Sequence, residues 1–283
     1  MVDHGVVVRR HELTDQEWEL LAPLIPRAAT GRPRVEDRQV VNGMVYKIRT
    51  GISWRDLPER YGPWKTVHER FRRWSADGTW DRLLAHVQQH CDAVGPVDLT
   101  VVCVDSTTVR AHQHAAGARK GGQDRPGEAI GRSRGGPTTK IHLACDGRGR
   151  PLAFTLTAGN VNDCTRFEAV MARIRIQRCG PGRPRTRPER VVADKGSSTK
   201  IRTYLRRRGI KAAIPERIDQ VNGRIRRGES RCRLDKTAYR RRNLIERCFN
   251  RLTHNKALAT RYDKRARHYQ ALVTIACLRL WLP

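Results

Sequence analysis

Three things are scarce in this chain. Acidic residues number 28 against 57 lysines and arginines in 283 residues, which leaves a net charge of +29. No apolar run approaches the ~18 residues of a membrane span and the start does not read as a leader, so cytoplasmic, bacterial-type residence is the expectation. The eight cysteines include no CxxC pair and several sit inside apolar patterns, so they read as small core residues. His86 and His90, four apart before Cys91, lack a second ligand pair at zinc spacing.

What is present follows from those gaps. The length suffices for one large domain or two modest ones with a real core. The basic excess is spread along the whole chain, so it is a surface property, and a field of this sign favours a polyanion, nucleic acid first. The few acids therefore matter by position. Val101 to Val109 is an apolar, β-branched run, a strand interrupted by one carboxylate, Asp105. Burying that group demands a compensating cation or donor. An arginine or backbone donor would satisfy it; a metal ion would need partner carboxylates.

The first 95 residues read as helical. Thr14 to Glu17 is a capping box, and Trp18, Leu20, Leu21, Leu24 and Ile25 follow before Pro26. A basic turn, Gly31 to Arg34, leads to a second helix with Val40, Val41, Met44, Val45 and Ile48 on one stripe, ending near Gly51. After a loop through Trp54 and Pro58 to Pro63, a third helix over about 65–76 carries Val67, Phe71 and Trp74 inward. It sets Lys65, His68, Arg70, Arg72 and Arg73 largely outward. A fourth runs over about 80–93. Short helices with one strongly basic member fit a helix-turn-helix-like DNA-binding module, with Lys65 and Arg72 as candidate contacts. Gly95-Pro96 is the candidate boundary, giving regions 1–95 and 96–283.

The second region alternates. After the Asp105 strand, His112 and His114 fall in a solvated loop and Gly117 to Gly136 reads as a mobile one. Strands follow over 138–145 and 152–157 around the Asp146 to Gly149 turn. A helix over about 165–176 and a Pro-rich linker lead to a strand over 190–194 ending in Asp194. Then come a helix over about 199–208, a strand over 211–215, an irregular charged stretch over 217–235, a long helix over about 239–254 and a final helix over about 265–282. Three antiparallel strands, then helix, strand, helix, strand, helix is the ribonuclease-H-like order, an α/β mixed sheet flanked by helices. In such a sheet the first and fourth strands can be neighbours, bringing Asp105 beside Asp194, and the covering helix offers Glu246. Three carboxylates at one point repel one another unless divalent cations neutralise them, and magnesium suits such a site. Two ions about 4 Å apart can serve phosphodiester displacement. Taken alone, Arg242 and Glu246, four apart, are an ordinary helical ion pair.

Around Glu246 the chain reads Tyr239, two residues, Arg242, three residues, Glu246. With Asp105 to His112, Gly131 to His142, Ala193 to Lys195, Leu13 to Trp18 and Thr50 to Pro58, this pattern resembles the DDE transposases of the insertion-sequence-five type, in the four/five grouping of bacterial insertion sequences. Two positions depart from it. Thr253 stands where the signature has lysine, with Lys256 three residues on, and Ser197 stands where relatives carry tyrosine. The resemblance implies that Asp105, Asp194 and Glu246 are catalytic and bind two Mg2+ or Mn2+ ions. It also implies that Tyr239, Arg242 and, as a replacement, Lys256 contact DNA. The partner would be double-stranded DNA, both element ends and target, with a homodimer or larger assembly on it. The enzyme would bind terminal inverted repeats, cleave there and join 3′-hydroxyl ends to target DNA. A catalytically silent DNA-binding copy would share everything except metal-dependent turnover.

Overall fold

The structure, a computed structural model, describes residues 9–26, 34–117, 127–195, 199–228 and 234–283. The basic turn at 31–33, Ser197 and Cys232 lie outside them, as do residues 118–126 of the expected loop. Thr14 caps α1 (Asp15–Leu21) by accepting from the Glu17 amide at 3.1 Å, while Glu17 accepts from the Thr14 amide at 2.7 Å. α2 (Asp37–Thr50) buries the predicted valine, methionine and isoleucine stripe and ends at Gly51, whose φ of 75° suits glycine. α3 (Trp64–Ala76) and α4 (Thr79–Val94) complete the helical part.

One side chain of α3 corrects the sequence reading. Arg70 is buried, donating to Asp37 at 2.7 Å and to the Val35 carbonyl at 3.0 Å. The reason is helical spacing: 67, 70, 71 and 74 form one inward stripe. A buried guanidinium so placed needs its carboxylate, and Asp37 supplies it.

The remainder is built on one mixed sheet. Its strands are β1 (Val101–Ala111), β2 (Gly131–Ser133), β3 (Gly136–Cys145), β4 (Pro151–Ala158), β5 (Arg190–Ala193), β6 (Lys211–Ala213) and β7 (Thr260–Arg261). β4, β3 and β1 form an antiparallel meander, and β5 and β6 continue it in parallel from β1. This is the ribonuclease-H-like arrangement expected. The intervening helices are α5 (Gln113–Ala116), α6 (Phe167–Ala172), α7 (Thr199–Arg207), α8 (Ile218–Arg226), α9 (Lys236–Arg240), α10 (Asn243–Thr253), α11 (Lys256–Ala259) and α12 (Ala266–Arg279). α10 packs on β1 and β3, and α6 on β3 and β4.

Four expectations change. His114, expected in a loop, lies in the short α5, which His112 caps. The helix expected over 165–176 is only α6, preceded by a single 3-10 turn. The charged stretch after β6 contains α8, which leaves Ile218 and Ile225 exposed. The long helix over 239–254 is broken at Arg241-Arg242 into α9 and α10, and a further turn separates α11. Cys103, Cys145, Cys248 and Cys277 are core residues as read, whereas Cys179 is exposed.

Hydrophobic packing is continuous from the helical part into the sheet part. α12 makes the junction, contacting α2, α3 and α4 on one side and β4 and α10 on the other. Among the described residues no helix is long and apolar enough to cross a membrane.

Candidate active site

Strand pairing places the two aspartates. β1 and β5 run parallel with Val104 opposite Ala193, and β5 ends there. The next residues along each strand, Asp105 and Asp194, are therefore neighbours where the parallel ladder stops. On the other side of β1, Asp105 lies across from Leu143. Side chains alternate along a strand, so Asp105 shares a face with Cys103, whose thiol meets the Arg241 carbonyl at 3.3 Å. That is the face covered by the α9–α10 break.

The break matters because it turns Arg242 toward the strand. Arg242 Nη2 donates to Asp105 Oδ2 at 2.9 Å, and its Nη1 lies 3.1 Å from Glu246 Oε1. One guanidinium thus holds two of the three predicted acids. Asp105 also accepts from the Ser106 amide at 2.8 Å. Burial pushes the Asp105 pKa up most strongly; the Ser106 amide and Arg242 pull it down, and the Asp194 charge raises it again. For Arg242, burial works against the charge, but Asp105 and Asp194 outweigh it and its pKa is raised.

Beside the acids opens a cavity of about 420 Å³, lined by Asp105, Asp194, Lys140, His142, Asp163 and Phe167 among others. Sequence reasoning did not single out Lys140, His142 and Asp163 as site residues. Lys140 and His142 carried a signal, since alternate residues of one strand share a face; Asp163 carried none. Lys140 Nζ reaches Asp163 Oδ1 at 2.9 Å and the Val161 carbonyl at 2.9 Å. His142 is buried, and its Nε2 lies 2.8 Å from Thr157 Oγ1. Burial lowers its pKa to about 4, so the ring is neutral near pH 7.

The other predicted residues are dispersed. Tyr239 is half-buried on α9, three residues before Arg242. Lys256 does not continue the Glu246 helix: it opens α11, and its Cβ lies against Gly51, which caps α2. Lys65 and Arg72 are exposed on α3, and Arg72 pairs with Glu69 at 2.7 Å.

The donor set is oxygen-rich and fits a hard cation: two carboxylates side by side, with space for water and phosphate in the adjoining cavity. Glu246 stands apart from them across the guanidinium. Among the described residues, no three histidine, cysteine or acidic side chains gather closely enough to hold a metal in this conformation.

A ribonuclease-H-like sheet with paired aspartates at the end of its parallel ladder, under a helix bearing a third acid, defines a class of nucleic-acid-processing proteins. Comparison with known families makes the class specific. A family model described as “Transposase DDE domain” matches residues 96–281, and one described as “Putative transposase of IS4/5 family” matches residues 13–84. The chain belongs to the DDE transposase family, of the IS4/5 type.

Individual relatives are similar to parts of the chain. An “Uncharacterized protein y4sN” of Sinorhizobium fredii is 40% identical over 115 residues, 39% of this chain and 87% of that one. A “Putative transposase for insertion sequence element IS402” of Burkholderia cepacia is 34% identical over 145 residues, 51% of this chain and 63% of that one. Among solved structures, the Mos1 transposase paired-end complex with left transposon end aligns over 82% of each chain at 11% identity. The TM-score is 0.24.

Proposed function

We propose that Asp105, Asp194 and Glu246 are the catalytic carboxylates of a metal-dependent transposase. In this reading it cleaves DNA at the terminal inverted repeats of its own insertion sequence and joins the freed 3′-hydroxyls to target DNA. The observation that carries the reading is the side-by-side placement of Asp105 and Asp194, with Arg242 tying Asp105 to Glu246.

Asp105 and Asp194 would hold a first Mg2+ or Mn2+ ion, and Glu246 would share in a second. Bound there, divalent ions supply activation of an attacking oxygen and stabilisation of the leaving one. The chain's own groups do the rest. The carboxylates fix the site at the end of the β1–β5 ladder. Arg242, which neutralises Asp105 and Glu246 here, would be free to pair with a phosphate oxygen of the scissile strand where bound cations balance those acids. Tyr239, three residues before it on α9, would position the same strand. In the first reaction water attacks the phosphorus, the P–O3′ bond breaks and the 3′-hydroxyl leaves with a proton. In the second that hydroxyl attacks a target phosphodiester, and a target 3′-oxygen leaves. No bond to the protein forms in either step.

Region 1–95 would grip the repeats, with Lys65 and Arg72 of α3 as phosphate contacts. Lys256, on α11 beside α2, would contact the DNA backbone between the two parts. Synapsis of two ends calls for a homodimer or larger assembly on DNA.

The test is cleavage of a labelled duplex carrying the terminal repeat, with Mg2+, with Mn2+ and with chelator. Metal-dependent cuts at the repeat boundary are expected. Asp105→Asn, Asp194→Asn and Glu246→Gln should each abolish them while end binding survives. Retained cleavage in any one of these variants removes that residue from the site. Specific binding with no cuts in either metal identifies a catalytically silent DNA-binding protein instead.

A further inference from the structure

Beyond the carboxylates, the loop that follows β7 displays an aromatic ring beside an anchored neighbour. Arg261 is fully buried. Its guanidinium donates to the Asp263 carbonyl at 2.9 Å, the Ala129 carbonyl at 3.1 Å, Thr139 Oγ1 at 2.8 Å and the Lys264 carbonyl at 3.1 Å. Asp263, on the other side of the tyrosine, is partly buried. Tyr262, between them, is 50% exposed. The buried, four-fold bonded Arg261 anchors the backbone next to the exposed ring.

Tyr262 is also the end of a stack. Its ring lies on His112 with centroids 4.5 Å apart and planes at 26°, and His112 stands 4.5 Å from His114. His112 occupies one face of the tyrosine, and the residue's exposure leaves the rest open. β7 pairs Arg261 with Ala111 of β1, so this stack stands at the far end of the strand that carries Asp105. Six residues of strand separate Asp105 from Ala111, about 20 Å. The sequence neighbours Arg110, Lys264 and Arg265 are all exposed cations.

We infer that Tyr262, backed by His112, is a stacking platform for an unpaired nucleobase of the DNA handled at the carboxylate site. The inference deepens the proposed transposase function and rests on it for the identity of the polymer. A flat aromatic face suits a base because every base has a π-face, and flanking cations suit the phosphates on either side of it. A protein partner would instead require an apolar surface around the ring. Among the described residues, the other large exposed hydrophobics, Val94, Ile218 and Ile225, stand on α4 and α8.

Such stacking is sequence-tolerant, so the test needs no particular repeat. The full chain, in chelator, is titrated into two duplexes of one sequence, one fully paired and one with a short unpaired stretch containing 2-aminopurine. The wild type should prefer the unpaired duplex by about 5- to 150-fold, the range that one stacked base supplies, and should quench the probe. Tyr262→Ala, at a half-exposed position that packing does not fix, should lose the preference and the quenching while keeping its affinity for the paired duplex. Tyr262→Trp should keep both. Equal wild-type affinity for the two duplexes, or an undiminished preference in Tyr262→Ala, overturns the platform and leaves DNA recognition standing. Failure to bind either duplex overturns the transposase reading as well.

Discussion

Arg242 is the residue on which the state of the site turns. It supplies the counter-charge for Asp105 and reaches Glu246 within the same guanidinium. Removing it leaves Asp105, partly desolvated beside Asp194, without its cation. Arg242→Ala should therefore destabilise the metal-free protein by about 1–2 kcal/mol, a modest figure because both partners keep roughly a quarter of their side-chain surface in water. Added Mg2+ should raise the melting temperature of the variant more than that of the wild type, since the ion then takes over a vacant role. An identical Mg2+ response in the two proteins would mean that Arg242 and the cation do not share a site. His142 gives a second prediction. Burial holds its ring neutral down to about pH 4, whereas the unfolded chain takes up that proton near 6.5. The unfolded state thus binds more protons between those values, so this contribution is complete above pH 6.5 and is lost as pH falls toward 4, by about 3 kcal/mol. His142→Gln should flatten denaturant midpoints across that window, and an unchanged slope would assign the acid sensitivity elsewhere.

Among the elements, α10 connects packing to the proposed site. Ile245, Cys248 and Leu252 are its buried stripe, and Glu246 sits beside them on the exposed side. Leu252→Ala should cost about 2–5 kcal/mol in denaturant titrations. Glu246→Gln should cost little, because that side chain is about half exposed. The two readouts then separate folding from catalysis on one helix. This is also where the sequence was least complete as a guide. The apolar stripe from Leu244 to Leu252 and the acids of β1 and after β5 were legible, because periodicity of 3.6 or 2 marks them directly. The break at Arg241-Arg242 was not: Tyr239 to Arg242 contains good helix formers and no glycine or proline, so local propensity runs straight through it. What wins is tertiary, with Arg241 donating to the Gly147 carbonyl at 2.8 Å and Arg242 to Asp105. Arg70 was misplaced for a related reason, since residue type suggested an outward cation while its position in the 67–74 stripe placed it inside. Asp163 went unnoticed because nothing local ties a turn after β4 to β3.

For the molecule as a whole, charge and packing make separate predictions. A net charge of +29 implies that affinity for DNA falls steeply with salt, log K declining linearly with log salt at a slope of about −0.9 per phosphate neutralised. The acid-to-amide variants above should leave that slope in place, and Lys65→Ala or Arg72→Ala should each reduce it by about one if α3 meets phosphates. Packing predicts cooperativity. Five of the six tryptophans (18, 54, 64, 74 and 80) lie in the helical part, so intrinsic fluorescence reports mainly on that region, whereas circular dichroism reports on all of it. Because α12 is packed between the helical part and the sheet, the two signals should give one coincident unfolding transition. Two separated transitions would show that the α12 junction does not couple them.

The same helix has a consequence for how tolerant the chain is of change. α12 is buried without interruption from Ala271 to Leu278 and presents no wetted stripe on which substitutions could accumulate harmlessly. In a comprehensive substitution survey scored by transposition, polar replacements there should be rejected as uniformly as replacements of Asp105 or Asp194. A map of intolerance would therefore show two regions of equal severity, one chemical and one architectural. Only a parallel score of protein abundance would tell them apart: it should collapse for α12 and hold for the aspartates.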